Sequence, residues 1–227
     1  MRRLQFLTYR HRTVSTNKTL GVLLAFVAGA VNAGGFLALH MYTSHMTGFA
    51  SQIADSVAMG RADLLLAALG ALLAFLVGAS VCAVLVNWGR RHRLRAIYAL
   101  PLVLEAALLL LFGLMGAVTL ALATPFAVPL TVLLLSFIMG LQNAVGSKTS
   151  GGSVRTTHMT GNITDLGMEL GKLLYFNGHG ATSNVAVRYD HERLSNAAGL
   201  VLMFVAGGAA GAYGFKTLGI KTSGNGV

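Results

Sequence analysis

Four residues with chemical potential occur twice in this chain of 227 residues, as His45-Met46-Thr47-Gly48 and as His158-Met159-Thr160-Gly161. A hydroxyl residue precedes each copy, Ser44 or Thr157, and each follows an apolar segment carrying an Asn-Ala pair, Asn32-Ala33 or Asn143-Ala144. A repeated pair of histidines in membrane segments could bind a cation or relay protons, because imidazole titrates near neutral pH. Met46 and Met159 add soft sulfur donors of the kind that suit Cu(I). Two His and two Met without a cysteine or carboxylate cluster are a weak metal signature, so neither a metal nor a cofactor is expected. The structural alternative is capping, with Thr47 or Thr160 as the N-cap and Gly48 or Gly161 permitting a tight backbone. Both roles can coexist, since the N-terminus of a half-helix presents free N–H groups that favour an anion.

Charges inside apolar sequence are the next candidates. Glu105 lies about 8 residues into its apolar run, or about 12 Å deep. An ionised carboxylate there costs on the order of 3 kcal/mol even on a lenient insertion scale. It is therefore protonated, or paired with a motif histidine or an asparagine. A coupling-ion or proton-relay role competes with a plain hydrogen bond between helices. Asp55, Asp165 and Glu169 lie on the segments that follow the motifs. Asp165 and Glu169 share a helix face, and Lys172 can pair with Glu169. These acids line a cavity if the segments face one, and are an ordinary solvated face if they lie at the interface. Asn32 and Asn143 could bond across a repeat axis or act as ligands. The candidate solute or ion site thus comprises His45, Thr47, His158, Thr160, Asn162, Asn32, Asn143, Glu105 and Asp165.

The elements that must position these residues are membrane helices. Hydrophobic residues make up 55% of the chain and charged residues 11%, against about 25% charge in a typical soluble domain. Several apolar runs exceed the roughly 18 residues that mark a transmembrane candidate. An all-α integral membrane protein in contact with the lipid bilayer is expected. The formal net charge is +10. The basic residues sit between apolar runs, which is the pattern of topogenic charge facing an anionic leaflet rather than of nucleic-acid binding. The single cysteine, Cys82, excludes an intrachain disulfide and reads as a small packing residue. Arg2, Arg3, Arg10, Arg12 and Lys18 form a basic start at 1–18. With further spans downstream, the first helix is expected to be retained rather than cleaved as a signal.

Apolar runs fall at about 19–40, 62–87, 97–118, 128–147 and 196–215. The stretch Gly48 to Met59 would reach only about 18 Å as helix, too short for a hydrocarbon core of about 30 Å. It carries Ser51, Gln52 and Asp55 and fits a half-helix or re-entrant segment, permitted where protein or a wet cavity surrounds it. Asn162 to Phe176 is amphipathic in the same place after the second motif. Trp88 followed by arginines reads as an interfacial anchor. Ala123-Thr124-Pro125 makes a break, 177–195 a polar and basic loop, and 216–227 a loose tail.

Two units are expected: repeat 1 at about 19–88, repeat 2 at about 128–215, and an unpaired linking helix at 97–118, all within one transmembrane domain, 19–215. Gly29 to Ala33 resembles Gly140 to Ala144, and Gly70, Phe75 and Gly78 match Gly199, Phe204 and Gly207. If the short segments do not cross, five spans place 14 of the 17 Lys and Arg on one side. If they cross, seven spans divide them 9 against 8. The positive-inside rule favours five spans with a cytoplasmic N-terminus. The units are then inverted repeats, which in transporter folds place the substrate near the midplane. A seven-helix parallel duplication is the alternative. Gly78 with Cys82, and Gly207 with Gly211, have the small-xxx-small spacing of close helix packing, within one chain or in a homo-oligomer.

The string Ser136-Phe-Ile-Met-Gly-Leu-Gln-Asn143-Ala, then Val154-Arg155-Thr-Thr-His-Met-Thr-Gly161-Asn162, resembles the YoaK-like family of bacterial membrane proteins, as does Ser44-His-Met-Thr-Gly48. The resemblance runs from about residue 20 to 215. It implies a multi-spanning inner-membrane protein of an uncharacterised family and points to no activity. The family's first motif resembles Met-Thr-Gly-Asn; Phe49 stands here in place of that Asn, while the second copy keeps Asn162.

No pattern of catalytic residues stands out, and an enzyme is not expected. A transporter or channel for a small solute or ion is the leading reading. A non-transporting scaffold or sensor for a partner or lipid is the alternative. Motif segments packed dry, with no cavity reaching Glu105, would favour the second. Convergence of His45, His158 and Glu105 on one cavity would favour the first.

Overall fold

The computed structural model describes residues 14–39, 41–122, 127–150, 152, 155–175 and 187–217. The expected break at Ala123-Thr124-Pro125, most of the basic N-terminus, part of the 177–195 loop and nearly all of the tail lie outside the described residues. Among the described residues there are seven helices and no strand: α1 Val14–Leu39, α2 Met46–Met59, α3 Ala62–Arg91, α4 Ala99–Leu122, α5 Ala127–Ser150, α6 Met159–Leu174 and α7 His191–Thr217. This is an all-α membrane protein. Four helices contain stretches long and apolar enough to cross a bilayer, at Ser15–Leu37, Ala62–Arg91, Pro129–Ser150 and His191–Thr217. At 24 residues, α4 reaches about 36 Å.

Helix ends differ from the expected limits for local reasons. The last helix starts at His191 rather than near 196. Asp190 Oδ1 accepts the backbone N–H groups of Glu192 (2.9 Å) and Arg193 (3.1 Å), an aspartate N-cap. The third helix runs on to Arg91, because Arg90 and Arg91 in its last turn complement the helix dipole. The first helix takes in the end of the basic segment, starting at Val14.

The two short helices have 14 and 16 residues, about 21 and 24 Å. Neither spans a hydrocarbon core of about 30 Å. Gly60, at φ 66°, ends α2. Its N–H donates to Val57 O and that of Arg61 donates to Ser56 O, a Schellman closure that turns the chain directly into α3. Each short helix packs on the long helix that follows it, α2 on α3 and α6 on α7.

The most extensive long-helix contacts pair a helix before α4 with one after it: α1 lies against α7, and α3 against α5. Both pairs run in one direction. Lys18 meets Ser195 at 2.7 Å, while Gly34 lies against the Phe215 ring. Similarly, Gly70 lies against Leu133, while Cys82 and Val86 cluster with Leu141 and Val145. The α1–α5 contact runs the opposite way: Gln142 Nε2 donates to Leu24 O at 3.2 Å, and Gly35 lies against Leu135. A parallel duplication would set α1 and α5 in the same direction.

Glycines make the crossed pairs close. A Cβ on Gly29 would overlap the Phe204 carbonyl, and one on Gly140 the Phe75 carbonyl. A Cβ on Gly207 would overlap the Phe26 carbonyl, and one on Gly78 that of Phe137. These four contacts fall at the positions that the sequence correspondence pairs. The small-xxx-small residues Gly78, Gly207 and Gly211 are thus occupied within the chain. Leu66, Leu73, Val84, Val103, Leu110, Leu202 and Val205 are exposed on the outer faces, where lipid replaces water as solvent.

Candidate functional site

The two motifs adopt the same local structure. In each, the histidine is the N-cap residue, with φ, ψ of −89°, 69° at His45 and −86°, 64° at His158, and neither side chain caps the helix. Thr47 and Thr160 lie inside the first turn, so the expectation that they cap is corrected. The glycines also have a different purpose from the one expected. Neither Gly48 nor Gly161 has positive φ. Instead, the ring of His45 lies where a Cβ on Gly48 would sit, and the ring of His158 does the same over Gly161.

The residue after the motif separates the copies. Phe49 is buried and packs with Ala68, Ala71 and Val132. The equivalent Asn162 is also buried, and its Nδ2 donates to Arg155 O at 3.0 Å. Both residues send their backbone N–H to the motif histidine's carbonyl, at 3.2 and 3.1 Å. One backbone frame therefore carries an apolar plug in the first copy and a polar tie in the second.

A cavity of about 830 Å³ opens beside the second copy, with His158, Thr160, Asn162, Asp165, Arg155 and Arg193 among its lining residues. The N-terminus of α6 forms one wall and the start of α7 the other. Arg193 holds Asp165 at 2.8 Å, which ties α6 to α7 across the cavity. Below it, the fully buried Glu169 accepts the Asp190 N–H at 2.8 Å and the Lys172 ammonium at 2.7 Å. The Asp190 N–H first, and then Lys172, hold the Glu169 carboxyl below the usual carboxylate range. The lining mixes cationic and anionic groups, so it suits a small polar or zwitterionic molecule better than a single metal ion. Asn196, in the same wall, keeps a buried Oδ1 without a hydrogen-bond partner.

The other predicted residues are not gathered here. His45 and Thr47 lie at the start of α2, which packs on α3; they are not among the residues lining this cavity. Asn32 accepts the Ser44 hydroxyl at 2.9 Å and anchors the first motif. Asn143 Oδ1 is buried without a partner. The antiparallel register of α1 and α5 sets Asn32 and Asn143 toward different ends, so they do not bond to each other. Glu105 is 3% exposed and interacts with Gln142, not with a motif histidine or an asparagine. It also lies outside the cavity's lining. The expectation of one central site joining both histidines and Glu105 gives way to three separate places. Gln142 and Arg193 were missed as site residues. A glutamine buried in an apolar run is the signal that points to the first.

The profile of the family described as "Protein of unknown function (DUF1275)" matches residues 20–224. The chain is similar to "UPF0700 transmembrane protein YoaK" of Bacillus subtilis (strain 168), 26% identical over 160 residues, which covers 70% of this chain and 69% of that protein. No solved structure matches the chain.

Proposed function

The chain belongs to the DUF1275 family, and from that premise we propose that it carries a small polar solute or ion across the bacterial inner membrane. The observation that carries this reading is the polar cavity at the second motif, where the first motif instead carries the buried Phe49. In an inverted pair of units, access from one side at a time is the basis of transport. The opposed directions of α1 and α5 support that pairing, with five spans and a cytoplasmic N-terminus. The cavity then lies on the basic, cytoplasmic side, and on the other side the buried Phe49 stands at the position of Asn162. Binding groups are His158, Thr160, Asn162 and Asp165. No catalytic step is assigned.

The test is flux into liposomes holding the purified full chain, over a panel of small polar solutes, with and without a pH gradient. Flux that falls at least about tenfold in Asp165→Asn supports a carrier. A second reading is a sensor that binds a solute without moving it. It is favoured by the absence of Glu105 from the residues lining the cavity. Saturable binding of a panel solute with no flux under any gradient would establish that reading and remove the first.

A further inference from the structure

We propose that Glu105, set against Gln142, is a proton-binding site inside the membrane domain. Glu105 lies on α4 between two apolar clusters. Leu102 and Leu104 pack into the one around Cys82, Val86 and Leu141. Leu108, Leu109 and Phe112 pack into the one around Leu135, Ile138 and Met139. Between them, the carboxyl interacts with the side chain of Gln142, which is itself fully buried. Gln142 Nε2 also donates to the Leu24 carbonyl. Two oxygens in this pair lack any partner: Glu105 Oε2 and Gln142 Oε1. An ionised Oε2 would be a charged acceptor with no donor, and such a buried group is expensive. One proton taken up from a hydronium ion, whose O–H bond breaks to leave water, forms an O–H bond at Oε2 and removes the charge. It also supplies an O–H donor to a pair that holds an acceptor without one.

Among the described residues, no cation forms an ion pair with Glu105. Cys82 on α3 and Tyr98 just before α4 lie in the cluster that Leu102 and Leu104 join, and Lys148 lies in the last turn of α5. The charged residues of α3, Asp63, Arg90 and Arg91, lie at its two ends, and α4 carries no charge besides Glu105. The site is separate from the cavity, so it stands whether or not a solute is carried.

The experiment is infrared absorption of the purified full chain in lipid nanodiscs as pH is raised from acid through neutral. A protonated-carboxyl band that persists at neutral pH and is lost in Glu105→Gln is the expected result. Gln142→Leu should keep the band and shift its frequency, because the acid remains and its partner is gone. If Glu105→Gln does not fold, Glu105→Asp must displace the band. No such band at neutral pH in the native protein overturns the proposal, as does a band unmoved by any Glu105 variant. A band abolished by adding sodium chloride at constant pH also overturns it, in favour of a metal-cation site.

Discussion

The imidazole of His158 occupies the space that a Cβ on Gly161 would need. The two residues are three apart at the start of α6, and side chains at that spacing share a helix face. His45 and Gly48 repeat the arrangement at the start of α2. The His-x-x-Gly pattern is therefore steric: the ring folds over the first turn, and only glycine leaves room for it.

A double-mutant cycle tests this packing. Gly161→Ala is expected to displace the ring and destabilise the protein, or at best leave it unchanged. In the His158→Ala background the same change should stabilise by up to about 1 kcal/mol, the ordinary helix gain of Ala over Gly. Unfolding in detergent measures both, and equal effects in the two backgrounds would remove the coupling.

Backbone contacts at Gly29, Gly140, Gly78 and Gly207 have no flexible neighbour that can give way. Gly78→Ala and Gly207→Ala should each cost at least about 1–3 kcal/mol, the range for overpacking a tight site. Gly113→Ala, where a Cβ meets nothing within 4 Å, should be neutral or mildly stabilising. Thermal midpoints of the purified variants separate the outcomes; a destabilised Gly113→Ala alongside a normal Gly78→Ala would contradict the packing.

Replacing the polar tie with the apolar plug should close the cavity. Asn162→Phe copies the first motif into the second, and solute binding or flux is expected to fall at least about tenfold. Asn162→Ala removes one hydrogen bond, worth about 1 kcal/mol of stability, and should leave the cavity open. Similar binding in Asn162→Phe and the native chain would exclude the cavity as the site.

Acid should loosen the α6–α7 junction through Glu169. Its carboxyl titrates below the ordinary range in the folded chain, because the Asp190 N–H and Lys172 favour the anion. The resulting stability is present above the ordinary glutamate value and is lost as pH falls through the lower, folded one. The native protein should therefore exceed Glu169→Gln in stability at neutral pH, with the gap shrinking in acid. Thermal midpoints across pH measure it; a gap that is constant with pH would assign Glu169 a packing role alone.

Helix direction predicts sidedness. In a Cys82→Ser background, cysteines at His92 and Tyr189 should react with an impermeant maleimide from the same side, and one at Met59 from the other. Seven spans would instead group Met59 with Tyr189.

Local features were legible in the sequence because they depend on neighbouring residues. Apolar run length identifies the long helices, and the shortness of Gly48 to Met59 identifies α2 as unable to span. Repeated Gly-x-x-Asn-Ala and His-Met-Thr-Gly strings mark equivalent places, and Phe49 against Asn162 marks their difference. Tertiary structure alone decided the partners. Glu105 meets Gln142 rather than a histidine, and Asn32 holds Ser44 rather than Asn143. The His45 and His158 motifs lie on different helix pairs. Those outcomes follow from the direction and register in which α1, α3, α5 and α7 cross. Register is fixed by close contacts such as Gly29 with Phe204 and Gly140 with Phe75, which join residues far apart in the chain and leave no periodic trace in it.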